Sequence, residues 1–310
     1  MPTTNDKQMR MNSGKFSSLL SAIMLLTLLL GVYSCGSEKK KDGTASMEFD
    51  EAAREIQEKI ERAVYNIPPP AEIPYIIQST GADFNPGIIN DPGKYEGYLV
   101  SPKKAAFNLG IYGTDIGYLS SYGKTQEALN YMDVCLKLTD VVGVQEAIDF
   151  KVLERFERNL SNPDSLGSII NEVISNSEKY LRQAERNDVS ALIVGGTFIE
   201  ALYIATQIID TYPKDMLPED QRLTILAPLV RLLAKQREPL ADLVELLNTV
   251  SDKDEWIVAT INSLQELKSN YDEFDPEERI ASGHGNEVLN DETLSRLTRQ
   301  VDSIRSNIVY

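Results

Sequence analysis

Residues 189–209, VSALIVGGTFIEALYIATQII, are apolar almost all the way round a helical wheel. A helix with no polar face cannot lie on a surface, so other elements must enclose it. Glu200, Thr206 and Gln207 argue against placing it in lipid, which leaves the centre of a helical core. Glu200 is then the most constrained acid in the chain. Once buried, it must be paired or protonated, because an isolated interior charge is very costly. A structural ion pair and contact with a ligand are the two readings of Glu200.

The rest of the body repeats the helical period. FDEAAREIQEKIERAVYNI (49–67) sets Ala52, Ile56, Ile60, Ala63 and Ile67 on one face, and Pro68-Pro69-Pro70 ends it. A short helix or turn is expected over 72–79. Ser101 and Pro102 are an N-cap and first-turn pair that starts a helix running to about residue 121. Further helices are expected at 125–142, 145–160, 165–186, 219–237 with a kink at Pro228, 239–250, 252–273 and 290–307. Strand signals are nearly absent. The expected fold is all-α, an irregular bundle of about ten helices built from antiparallel hairpins, with repeat-like pairs left open. NLG at 108–110 and EAL at 127–129 look like part of a tetratricopeptide unit, but the spacing is too long and no 34-residue period recurs.

Within the 101–121 helix, Gly110, Gly113 and Gly117 share one face. Such a face costs about 1 kcal/mol per glycine relative to alanine. Close approach of another helix repays it, and Gly195-Gly196 in the central helix mark the expected partner. No strand precedes these glycines, so they do not form a phosphate loop.

The longest irregular stretch, STGADFNPGIINDPGKYEGYLVSP (79–102), is rich in glycine and proline. Long loops in compact domains are often functional surfaces. Asp83, Asn85, Asn90 and Asp91 are its candidate contacts; beside Gly and Pro they also read as turn formers, without EF-hand spacing. Tyr112, Tyr118 and Glu200 would line a pocket between the glycine-bearing helices if one exists.

The amino terminus belongs to a different regime. FSSLLSAIMLLTLLLGVY (16–33) is apolar and follows Arg10 and Lys15, the pattern of a secretory signal peptide. It is barely long enough to span a bilayer, so an uncleaved anchor is the alternative. Val32-Tyr33-Ser34-Cys35 resembles the lipobox of bacterial lipoproteins, with Tyr33 as a departure. The resemblance implies cleavage before Cys35 and lipidation of its sulfur, where two or more acyl chains anchor stably at ~0.8 kcal/mol per buried CH₂. On that reading residues 1–34 are the signal peptide, 35–48 a flexible polar tether, and 49–310 a single helical domain. The true start, Met1, Met9 or Met11, stays open. Loss of residues 1–34, with three basic and one acidic residue, takes the formal charge from −16 to −18. Gly36 after the cysteine, rather than aspartate, points to the outer membrane, facing the periplasm.

Charge and composition exclude several functions. With 47 acidic against 31 basic residues, nucleic acid is excluded as a partner. Two cysteines and one histidine fall short of the four ligands of a structural zinc site. No cofactor is expected. Ser101-x-x-Lys104 and Ser121-x-x-Lys124 match an acylating motif whose companion motifs are missing. His284 sits in a turn-like ASGHGNE segment, and the acids of YDEFDPEERI (271–280) read as a solvated helix end. Cys135 shares an apolar face with Ala128, Met132 and Val142, as a buried thiol would.

The chain also resembles all-helical lipoproteins of Bacteroidota-type Gram-negative bacteria, in the lipobox and in GIYGTDIGYLSSYGKTQEAL and NDVSALIVGGTFIEALYIATQI. That resemblance implies no activity or site. The expected function is therefore a non-catalytic interaction or scaffold protein, held to the membrane by its lipid anchor and bound to a protein partner in the cell envelope. A small-ligand-binding lipoprotein is the alternative.

Overall fold

The computed structural model describes most of residues 76–145 and 186–310, with isolated positions at 54–59 and 154–180. The chain divides between residues 50 and 51, and every described residue belongs to the second unit. The lipobox with Cys35, the 49–67 helix, most of the 145–160 and 165–186 helices, and His284 lie outside the described residues.

Among the described residues the protein is all-helical, without a strand. The longer helices are α1 (Pro102–Ser121), α2 (Thr125–Val142), α3 (Asn187–Thr211), α4 (Glu219–Ala234), α5 (Arg237–Asn248), α6 (Glu255–Tyr271) and α7 (Glu292–Val309). Single helical turns at Tyr95–Tyr98 and Asn286–Leu289 and two 3₁₀ turns at Pro86–Ile88 and Pro92–Lys94 complete the set.

α3 is the predicted central helix. It packs against α1, α4, α5 and α7, and Leu192, Phe198, Ile199, Ile204 and Ile208 are all buried. By length and composition it could cross a membrane, yet 72% of its most apolar window is buried inside the protein. Its lack of a polar face is thus met by neighbouring helices.

α1 begins as its sequence dictates. The Ser101 hydroxyl accepts the Lys104 amide at 3.5 Å, and Pro102 occupies the first turn, where no amide partner is needed. At its end Gly123, at φ +64°, turns the chain so that α2 packs along α1. Gly143, at φ +72°, closes α2 in the left-handed conformation, where glycine carries no Cβ penalty.

The glycine face of α1 is used only at one end. A Cβ on Gly110 would stand 2.1 Å from the Ile193 carbonyl oxygen, and one on Gly196 only 1.9 Å from that of Phe107. The two backbones therefore touch where Gly110 meets α3. At Gly113 and Gly117 a Cβ would meet nothing within 4 Å. The expectation of one continuous close face fails for these two, because α1 and α3 touch backbone to backbone at the first glycine only.

The α4–α5 boundary also differs from expectation. α5 starts at Arg237 rather than at Pro239, so Pro239 lies inside its first turn instead of at its first residue. Proline is tolerated there because the first amides of a helix have no intrahelical partner. Pro228 lies within α4 without ending it.

Candidate functional site

The irregular 80–98 segment is held by tyrosine hydroxyls from several helices. Tyr122 donates to the Ala82 carbonyl at 2.9 Å, Tyr112 to Asp91 at 2.8 Å and Tyr131 to Asn90 at 2.7 Å. Tyr118 both accepts the Asn85 amide at 3.0 Å and donates to the Asn85 carbonyl at 3.3 Å. From α3's end, Tyr212 donates to the Thr80 carbonyl at 3.1 Å. Within the segment, Tyr98 donates to the Val309 carbonyl of α7 at 2.9 Å and accepts the Asn90 side-chain amide at 3.2 Å. The rings pack on one another, with Tyr118–Tyr122 and Tyr112–Tyr131 centroids 5.0 Å and 5.7 Å apart, so one set of side chains supplies both apolar mass and polar ends. Burial pushes the Tyr112, Tyr118, Tyr122 and Tyr131 phenols up, which keeps them neutral donors.

Each predicted contact residue has a definite place in this frame. Asn85 Oδ1 accepts the Gly87 amide at 2.9 Å, and Asp91 Oδ1 accepts the Gly93 amide at 2.8 Å. Each caps a 3₁₀ turn with proline at its start, which is Asx-turn chemistry. Asn90 is buried, and its Oδ1 has no hydrogen-bond partner. Asp83 is exposed. The four Asx residues thus do separate work. Among the described residues no three His, Cys, Asp or Glu side chains gather as metal ligands. Tyr112, Tyr118 and Glu200 are all fully buried.

Beneath the loop lies a charged cluster sealed from solvent. Arg305 of α7 meets Glu200 of α3 in a bidentate pair, Nε to Oε2 at 3.0 Å and Nη2 to Oε1 at 2.9 Å. The guanidinium also lies over the Tyr203 ring, 4.4 Å from its centroid. Asp115 of α1, wholly buried, accepts the Asn90 amide on Oδ2 at 3.1 Å. Its Oδ1 has no donor, while the Glu200 carboxylate is within hydrogen-bonding reach. Two acceptors can bond only through a shared proton. Burial and the Glu200 charge hold the Asp115 carboxyl well above the usual carboxylate range, which favours the protonated acid beside Glu200. One arginine then balances one net negative charge. The cluster ties α1, α3, α7 and the loop at a single point.

Sequence reasoning singled out Glu200 but missed Asp115 and Arg305. The signal was present: Leu294, Thr298, Val301, Arg305 and Ile308 follow the spacing of a buried stripe, and Arg305 is its charged member. Asp115 likewise falls among the buried positions of α1, between Tyr112 and Ile116.

The serines of the two Ser-x-x-Lys matches serve the backbone: Ser101 caps α1, and Ser121 donates to the Tyr118 carbonyl at 2.7 Å. Cys135 is buried and free, and burial pushes its thiol up.

Among the described residues, α3 borders a small and a larger concavity. One, about 20 Å³, is apolar and lies between α3, α4 and Ile76-Ile77, room for little more than one water. The other, about 180 Å³, opens between the end of α3, the start of α4 and the start of α7, and carries Arg222 and Asp210. No known protein family, curated protein or solved structure matches this chain.

Proposed function

We propose that the protein is a lipid-anchored lipoprotein of the cell envelope, cut before Cys35, that acts as a non-catalytic interaction or scaffold protein. The 16–33 apolar stretch and the lipobox-like Val32-Tyr33-Ser34-Cys35 support the anchor, and Gly36 supports an outer-membrane site facing the periplasm. The body is a bundle of about ten helices in antiparallel hairpins, a reading supported by the close packing of consecutive α1 and α2 across a short turn.

One observation carries the interaction reading: residues 80–98 lack long regular structure yet are fixed by six tyrosine hydroxyls. A surface held in place before binding pays little ordering entropy when a partner docks. It displays Asp83, Asp91, Glu96 and, just beyond, Val100, which is 79% exposed. That composition suits a protein partner with a basic rim around an apolar contact.

Deleting the loop would not test this, because Ile88, Ile89 and Tyr98 belong to the core. The clean variant is Asp83→Lys, Glu96→Lys, Val100→Asp, which alters exposed side chains only. Crosslinked pull-down from native membranes should recover a partner with the natural chain and lose it with the triple variant at unchanged melting temperature. Retained capture by the triple variant would overturn the loop assignment. Separately, Cys35→Ala should abolish fatty-acid labelling; continued labelling would overturn the anchor.

A further inference from the structure

We propose that the cavity between α3, α4 and α7 binds a free α-amino acid with a small aliphatic side chain, held as its zwitterion. This site is separate from the loop surface and does not depend on the scaffold reading.

The argument starts from Arg222, in the first turns of α4. It is 7% exposed, lines the cavity, and makes no hydrogen bond or ion pair with its side chain among the described residues. Guanidinium is charged at every accessible pH, and this one lines the cavity with no acid of the described residues paired to it. The other strongly buried cation among the described residues, Arg305, has its acid in Glu200. Arg222 instead lines an open space of about 180 Å³, and a guanidinium is a planar fork of donors that takes a carboxylate through two parallel bonds.

The remaining lining selects among anions. Asp210, at the end of α3, faces the same cavity and forms no ion pair with Arg222. A phosphate would be repelled by this carboxylate, whereas an ammonium group would be drawn to it. Ser295 offers a hydroxyl with no hydrogen-bond partner among the described residues, and Thr298, which donates to the Leu294 carbonyl at 3.0 Å, keeps its acceptor lone pairs. Ile209, Leu226, Leu289 and Leu294 supply the apolar wall. One cation, one anion, hydroxyls and an aliphatic wall in one small cavity are the complement of an aliphatic amino acid.

The test uses the whole mature protein at pH 7, with calorimetry and thermal melting against L-leucine, L-valine and L-alanine. At about 10 mM ligand, tenfold above a millimolar Kd, at least one should raise the melting temperature. Leucinamide, lacking the carboxylate, and N-acetyl-leucine, lacking the ammonium, should each bind at least about tenfold more weakly, since each leaves one charged group unpaired. Arg222→Gln should abolish binding. Asp210→Asn should weaken free leucine while improving N-acetyl-leucine. If Arg222→Gln fails to fold, Ser295→Phe, at an exposed position, fills the cavity and should abolish the shift. No shift with any amino acid would overturn the proposal. So would equal binding of leucine and its N-acetyl form, or an inorganic phosphate shift that exceeds leucine's.

Discussion

Glu200 and Arg305, 105 residues apart in sequence, form a two-bond ion pair in which neither side chain is more than 8% exposed. Such a pair is weak evidence of net stability, yet breaking it from one side is severe. Arg305→Met leaves Glu200 charged, buried and without its cation, and should cost about 3–5 kcal/mol in denaturant unfolding. Adding Glu200→Gln to that variant should restore a large part of the loss. A double variant no better than the single would show that the arginine acts by packing alone.

Asp115 gives a pH dependence with a definite sign. Its folded-state pKa lies well above the unfolded value because of burial and then the Glu200 charge. Arg305 from α7 opposes that shift, as does the Asn90 amide, while Tyr112 and Tyr131 face the cluster as neutral phenols. A raised acid binds more protons in the folded state. Its contribution is therefore complete below about pH 4, the unfolded value, and is lost as pH rises through the folded pKa. Asp115→Asn keeps an acceptor for the Asn90 amide and a donor for Glu200 without a titrating proton. The stability of Asp115→Asn relative to the natural chain should increase from pH 5 to pH 8. A difference that stays flat would refute the shared proton.

The glycines of the α1–α3 crossing predict opposite outcomes for the same change. Gly196→Ala drives a methyl into the Phe107 carbonyl and should destabilise by about 1–3 kcal/mol or more, as overpacking does. Gly113→Ala meets nothing and should stabilise by up to about 1 kcal/mol through helix propensity. Melting temperatures of the two variants, moving in opposite directions, check both.

Cys135 should be chemically silent in the native protein. It is 7% exposed, and burial pushes its thiol up, so the thiolate that reacts is scarce. Maleimide labelling mapped by mass spectrometry should modify the Cys135 peptide in denaturant and leave it unmodified in buffer. Labelling under native conditions would show that α2 opens.

Periodicity and punctuation made the all-helical class, the Ser101-Pro102 start of α1 and the central role of α3 legible in the sequence. Those features depend on residues near one another in the chain. The pairing of Gly110 with α3 was legible too, because two glycine-bearing helices need each other. What the sequence hid depends on crossing geometry: the same periodic face holds Gly110, which touches α3, and Gly117, which does not. Arg305 and Asp115 were passed over because each is one charged residue in an otherwise ordinary helix, and only the third dimension brings them to Glu200. The loop's Asx residues read correctly as turn chemistry in Asn85 and Asp91, while the tyrosines that fix the loop lie on other elements. The Arg222 cavity joins three helix ends, for which no local pattern exists.

The tyrosine bonds and the ion pair also impose an order in time. The hydroxyl bonds that α1 and α2 make to the loop span 21–41 residues, whereas Tyr98 to Val309 spans 211 and Glu200 to Arg305 spans 105. Short loops close early and long ones late. A chain emerging amino end first can assemble the loop, α1 and α2 while the remainder is still being made. Its two buried acids, however, stay without their guanidinium until α7 arrives, so the buried cluster cannot close before Arg305 has been made.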